Sequence, residues 1–249
     1  MPYGICTLSI VPLRADPAHS SEMVSQLLYG ELFEIKEAQK KWSQVKNDFD
    51  GSSGWIENIM FKPISDDDRN KLKDHPTELS SDLVEFIITQ QDELIPITMG
   101  AQVSSNKLLL NTFDGLLVSG QYPKENLVKT AFAFLNAPFL HGGRSPFGID
   151  ASGFVQLVYK LNGYFLLRNV EGQATQGEAL SFIEESEPGD LAFFDNEDGK
   201  IVHVGIIMKD NYLIHSHGKV RIDRLDHTGI FNVDEKRYSH KLRVIKKVL

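Results

Sequence analysis

Three histidines and one alanine set the chemical question in this chain. His203 opens the run "HVGIIMKDNYLIHSHG", and His215 and His217 lie near its end. Upstream, in "GGRSPFGIDASGFVQLVYK", Asp150, Ala151 and Ser152 head an apolar stretch. Ala151, Phe154, Val155, Val158 and Tyr159 recur there at helical spacing, which predicts one apolar helix face. Asp150 is a good N-cap and Gly163 a good stop, so residue 151 is predicted to be the first residue of a buried helix. Such a position offers unpaired N–H groups and partial positive charge. A thiol placed there would be held partly as the reactive thiolate. Neighbouring N–H groups could hold an oxyanion. A thiolate nucleophile also needs a histidine for proton transfer and a group that orients that histidine. His203 and His215 supply both types. The surround of a nucleophile is present, and at its centre stands a methyl group.

The two histidines must be positioned by strands. "KDN" reads as a three-residue turn between "HVGIIM" and "YLIHSH", with Asn211 tolerating left-handed backbone. Met208 then pairs with Tyr212 and His203 falls opposite His217. His215 becomes the diagonal neighbour on the same face, within reach of His203. A two-residue turn would put His215 on the other face, so His217 competes for the orienting role. A zinc site of His203, His215 and His217, approached by His141, is the metal alternative. It lacks the His/carboxylate spacing of zinc hydrolases, so no metal and no organic cofactor is expected.

Along the chain, residues 1–62 read as short strands with turns: "LFEIKE" alternates, "DFDGSSG" is a turn cluster and "GWIENIMF" resumes a strand. Residues 63–79 are polar and read as a linker with one short helix limited by Pro76. Residues 80–122 return to strand-like runs, "LVEFIITQ", "AQVSS", "KLLLNT" and "GLLVSG". From residue 123 the texture changes. "PKENLVKTAFAFLNAP" predicts a helix with Leu127, Ala131, Phe134 and Leu135 on one side, and "PGDLAFFDN" and the histidine-bearing runs predict antiparallel strands.

The totals narrow the classes. The chain has 249 residues and a net charge of 26 − 34 = −8. That argues against a general nucleic-acid or membrane-surface binder, both of which need basic surface. No run approaches the roughly 18 apolar residues of a membrane-spanning helix. The start "MPYGICTLSIVPLRADP" has no basic region and no long apolar core, which leads to a cytoplasmic expectation, or a periplasmic or secreted one if a leader has been removed. The single cysteine, Cys6, lies in an alternating apolar stretch and reads as a buried structural thiol. Oligomeric state is not legible.

In order, "GGRSPFGID-x-SGFVQLVY", "PGDLAFF", "HVGI" and "IHS" resemble the NlpC/P60 family of papain-like cysteine peptidases over about residues 124–232. "PLRADP", "SEMVSQLLYGE", "KWSQVKN" and "DGSSGWI" resemble a bacterial SH3 barrel. The resemblance implies an α+β fold: an SH3-like domain at 1–62, a linker at 63–79, a second, degenerate SH3-like domain at 80–122, and a papain-like NlpC/P60 domain at 123–249. With "LLRNVEGQ" it narrows to the subgroup that cleaves γ-D-glutamyl–diamino acid bonds in free murein peptides, dipeptidyl-peptidase VI. By that resemblance Ala151 holds the place of the catalytic cysteine, His203 is the general base and His215 its orienting partner. Asp150 and Ser152 help hold the free amine of an N-terminal L-Ala. Arg144 and Ser145 shape the cleft, Arg168 and Gln173 match a polar segment, and Tyr29, Glu31 and Trp55 are candidates to close the amine pocket.

The implied partner is the murein peptide L-Ala-γ-D-Glu-diamino acid. The sequence departs from the family at three points: Ala151 itself, His141 where Trp is usual, and "HSHG" in place of His-Ala-Ser-Gly. Ser152, next to Ala151, points about 100° away on a helix and does not substitute. Two readings follow. One is a peptidase whose cysteine has been replaced, and the other is a natural pseudoenzyme that binds murein peptides without cutting them.

Overall fold

A computed structural model describes residues 2–249. They form two compact units: the residues up to Gly120 with His141–Pro146, and Gln121–Leu140 with Phe147–Leu249. The first unit opens with β1 (Tyr3–Cys6), β2 (Ile10–Arg14), β3 (Met23–Leu28), β4 (Leu32–Ala38), β5 (Trp42–Asn47), β6 (Ser53–Glu57) and β7 (Phe61–Ile64). These make one antiparallel sheet in the order β3-β2-β6-β5-β4-β1-β7. The alternation of these strands sends Cys6, Val11, Leu13, Leu27, Phe33, Val45 and Ile56 into a shared core. Cys6 is fully buried there, and that burial pushes its thiol up to about 12. "GWIENIMF" is not one strand: a turn of 3-10 helix at Asn58–Met60 separates β6 from β7.

The polar stretch after β7 contains α1 (Asp66–Lys73), whose start is fixed by a capping box between Ser65 and Asp68. Beyond it lie β8 (Glu78–Ser80), β9 (Val84–Ile88), β10 (Leu94–Thr98), α2 (Asn106–Leu109), β11 (Thr112–Phe113) and β12 (Leu117–Ser119). They form a three-stranded sheet, β10-β9-β11, and a two-stranded one, β12-β8. Two strand expectations fail here. "AQVSS" holds a 3-10 turn, Val103–Ser105, and "KLLL" forms the single helical turn α2, closed by Leu110 in left-handed backbone. Short apolar runs do not distinguish strand from buried helix. Helical turning lets Leu108 and Leu109 pack on the cluster of Ile5, Leu32, Ile64 and Leu72, while Leu110 stays exposed.

The second unit begins with α3 (Asn126–Phe132). The chain then passes through β13 (Arg144–Ser145) and β14 (Gly148–Ile149) to α4 (Ala151–Leu161) and α5 (Val170–Ala174). The strands β15 (Glu178–Leu180), β16 (Leu191–Asp195), β17 (Ile201–Ile207), β18 (Tyr212–His217), β19 (Lys219–Leu225), β20 (Gly229–Asn232) and β21 (Arg237–Lys247) follow. They run in the order β15-β21-β16-β17-β18-β19-β20, and β20 also pairs with the long β21, which closes six of them on themselves. Ala192, Phe194, Ile207, Leu213, Leu225, Ile230 and Ile245 form a shared core cluster of these strands. α4 packs on β17, β18 and α3. In the α3 segment Leu127, Ala131 and Phe134 are buried as expected, but Leu135 is exposed because the helix ends at Phe132.

Residues 141–146 pack with the first unit. The physical reason is Arg144. Its guanidinium is fully buried and grips both oxygens of Glu31, Nη1 at 2.9 Å and Nη2 at 3.0 Å. Nη1 also donates to the Gln26 carbonyl at 2.6 Å, and Gln26 Oε1 accepts from the Arg144 backbone N–H at 2.7 Å. A buried guanidinium demands such compensation, and the first unit supplies it.

Candidate active site

The site is built from the start of α4 outward. Every residue of α4 is buried, as its apolar composition requires. Asp150 caps it, its Oδ1 accepting from the Gly153 N–H at 2.7 Å. Ala151 is therefore the first helical residue, 8% exposed. Arg168 binds the capping carboxylate with both terminal nitrogens, Nη1 to Oδ1 at 3.0 Å and Nη2 to Oδ2 at 2.6 Å. Its Nη1 also donates to Ser152 Oγ at 2.9 Å, and that hydroxyl donates to Asp150 Oδ1 at 3.2 Å. Gln173 is fully buried and donates from Nε2 to the carbonyls of Ser152 and Leu167, both at 2.9 Å. Asp150, Ser152, Arg168 and Gln173, separate in sequence, thus converge around position 151.

The histidine strands meet this segment through its backbone. Ser216, between His215 and His217, donates its hydroxyl to the Ile149 carbonyl at 2.8 Å, and Ile149 N–H donates to the Pro138 carbonyl at 3.0 Å. The approach to Ala151 is thereby anchored on β18. The turn before β18 has the geometry expected of "KDN". Asp210 and Asn211 are both left-handed, and the Met208 N–H donates to the Tyr212 carbonyl at 2.8 Å. The register Gly205↔His215, Ile206↔Ile214, Ile207↔Leu213 then sets His203 and His215 on one face as diagonal neighbours.

They meet directly. His203 Nε2 lies 2.8 Å from His215 Nδ1. Burial, then the charges of His215, His240 and His217, hold the His203 pKa well below its ordinary value. Burial also lowers that of His215, against the pull of Asp223. Both imidazoles are neutral at neutral pH, the form a general base needs. His217 does not displace His215. Its ring is 6.3 Å from His203 edge-on, and its side chain is exposed. His203 Nε2 and His215 Nδ1 are engaged with each other, and His215 Nε2 with Asp223. Among the described residues no group of three His, Cys, Asp or Glu side chains is arranged to hold a metal ion.

Sequence reasoning missed two neighbours. His240, on β21, stacks on His203 with ring centroids 4.1 Å apart and 21° between planes. Burial, then the charges of His215 and His217, bring it down to about 4. Asp223, on β19, lies 3.1 Å from His215 Nε2. Neither is in a recognisable motif. Only the pairing of β21 and β19 with their neighbours brings them in.

The remaining predicted site residues lie in the first unit. Arg144 and Glu31 are spent on each other in the buried ion pair. Ser145 is 2% exposed, and Trp55 is 8% exposed on β6. Tyr29 is fully buried with Ile87, Ile97, Ala101 and Val103, and its hydroxyl donates to Asn106 Oδ1 at 2.7 Å and accepts from Asn111 Nδ2 at 2.8 Å. In this packing Tyr29 joins the first sheet to the elements after it.

The geometry can be set beside known proteins. Residues 136–238 match the NlpC/P60 family model, and residues 13–58 match that of the bacterial dipeptidyl-peptidase SH3 domain. The chain is 39% identical over 94 residues to a gamma-D-glutamyl-L-lysine dipeptidyl-peptidase of Bacillus subtilis, covering 37% of this chain and 31% of that one. It is 31% identical over 108 residues to dipeptidyl-peptidase 6 of Lysinibacillus sphaericus, covering 41% of this chain and 37% of that one. The matched segments thus span about a third of these relatives' own length. The fold as a whole is similar to the crystal structure of an NlpC/P60 family protein from Bacillus cereus, with TM-score 0.81, 17% identity and 99% of each chain covered. With the site assembled on α4, β17 and β18 and an SH3-like sheet before it, the chain carries an NlpC/P60 domain preceded by a bacterial dipeptidyl-peptidase SH3 domain.

Proposed function

We propose that this chain binds a free murein stem peptide, L-Ala-γ-D-Glu followed by a diamino acid, in a cysteine-peptidase site, and that with Ala151 in the nucleophile position it holds the peptide without cleaving it. The observation that carries the reading is the completeness of the surround. The capped helix start, the Asp150–Arg168–Ser152 cluster and the His203–His215 pair are all assembled, and residue 151 alone offers no reactive atom. The names of the relatives, dipeptidyl-peptidases acting at γ-D-glutamyl-L-lysine, support the substrate class.

The chemistry for which such a site is suited follows from the groups present. A thiolate at position 151 would attack the γ-carbonyl of D-Glu. His203, having taken the proton of that thiol, would pass it to the leaving amine of the diamino acid, and backbone N–H groups at the helix start would hold the oxyanion. Water activated by His203 would then release L-Ala-γ-D-Glu. The Asp150 carboxylate supplies a partner for the peptide's terminal ammonium, which favours peptides with a free L-Ala end. A role in the recycling of released stem peptides, inside the cell, follows from that preference.

Isothermal titration calorimetry tests the reading on the unsubstituted chain. L-Ala-γ-D-Glu-meso-diaminopimelate is expected to bind, and its N-acetylated form is not. Equal binding of both, or binding of neither, would contradict the proposal.

A further inference from the structure

The hydrogen-bond chain does not stop at His215. β18 and β19 pair with Leu213 opposite Asp223 and His215 opposite Arg221. His215 Nε2 reaches Asp223 Oδ2 at 3.1 Å, and both side chains are fully buried. A carboxylate this buried must be matched by donors. Arg221 provides two, Nε to Oδ2 at 2.6 Å and Nη2 to Oδ1 at 3.0 Å, and the Val233 N–H gives a third at 3.1 Å. Arg221 is itself held by Asn232 Oδ1 at 3.1 Å and Asp234 Oδ2 at 2.9 Å. Asp223 is therefore a fixed, ionised acceptor.

An ionised carboxylate can only accept, so Nε2 of His215 carries the hydrogen. Burial keeps His215 neutral, which leaves Nδ1 as its lone-pair nitrogen. That nitrogen accepts from His203 Nε2 across 2.8 Å. His203, also neutral, then has its lone pair on Nδ1. We infer that Asp223 is a positioning residue: it sets the direction of the chain Asp223–His215–His203 and so makes Nδ1 of His203 the basic nitrogen of the site. The consequence for catalysis rests on the peptidase reading above, whereas the tautomer assignment does not.

Long-range proton–nitrogen NMR correlation on the unsubstituted, nitrogen-15-labelled chain is the first test. Both His203 and His215 are expected as Nε2–H tautomers. A His215 protonated on Nδ1 would overturn the inference without any variant being made. Asp223→Asn then replaces the ionised acceptor by a neutral amide that must share its single oxygen among His215, Arg221 and the Val233 N–H, and the imidazoles are expected to lose their fixed Nε2–H tautomers. In an Ala151→Cys background, Asp223→Asn is expected to slow alkylation of the introduced thiol by iodoacetamide at neutral pH on the order of 100-fold, the usual scale of a misplaced acid–base group. Cys6, fully buried, does not interfere. Unchanged tautomers and an unchanged alkylation rate in folded Asp223→Asn would refute the assignment. The stated tautomers in a chain whose Ala151→Cys variant never cleaves peptide would uphold it and remove the peptidase reading instead.

Discussion

At position 240 a histidine with no motif around it lies flat against His203. Its placement has a consequence for stability. Burial depresses His240 to about 4, whereas the unfolded chain keeps it near the ordinary 6.5. Between those values the unfolded state binds more protons, so stability falls as pH drops from about 6.5 toward 4 and is level above that window. His203 and His215, lowered in the same sense, add to the effect. His240→Gln is expected to narrow the gap between the urea midpoints at pH 7 and pH 5, and an unchanged gap would show that His240 does not titrate across folding. His203, His215 and Ala151 were legible in the sequence because each sits in a run of motif-bearing neighbours. His240 and Asp223 were not, because strand order in a closed sheet is a long-range property that no local spacing encodes. Arg144 and Glu31 illustrate the opposite difficulty. By resemblance they read as groups lining the cleft, and the fold brings them together in a buried ion pair that their separation in sequence does not announce.

At the scale of elements, α4 and the β17–β18 hairpin do the positioning, and both were readable. Asp150 before an apolar helical run and "KDN" between two strands are strong local signals, and cap and turn form where those residues stand. The sequence did not reveal that the cap is shared with Arg168. Asp150→Ala removes an N-cap, worth about 0.5–2 kcal/mol, and also leaves the guanidinium of Arg168 without its carboxylate. The expected loss of stability is therefore at least about 2 kcal/mol by urea denaturation. A loss below about 1 kcal/mol would mean that the Asp150–Arg168 pair contributes nothing beyond the cap. The short segments between residues 80 and 122 were least legible. Apolar runs of three or four residues satisfy strand and helix alike, and there tertiary packing of Leu108 and Leu109 made the choice.

At the scale of the molecule, the sequence marked an SH3-like start and a peptidase-like end, and the chain folds as two compact units. Residues 141–146 pack with the first unit through the buried Arg144–Glu31 pair, which no change of composition announces. The groups assembled around Ala151 in the second unit make a sharp demand of the proposed function: a thiol placed at position 151 must by itself give cleavage. Ala151→Cys, incubated with L-Ala-γ-D-Glu-meso-diaminopimelate and with its N-acetylated analogue and followed by mass spectrometry, is the most direct measurement. Release of diaminopimelate from the free peptide, and none from the acetylated one, is the expected result. A folded Ala151→Cys protein that binds the free peptide and cleaves neither would contradict the proposed function, and would make the site one for binding alone.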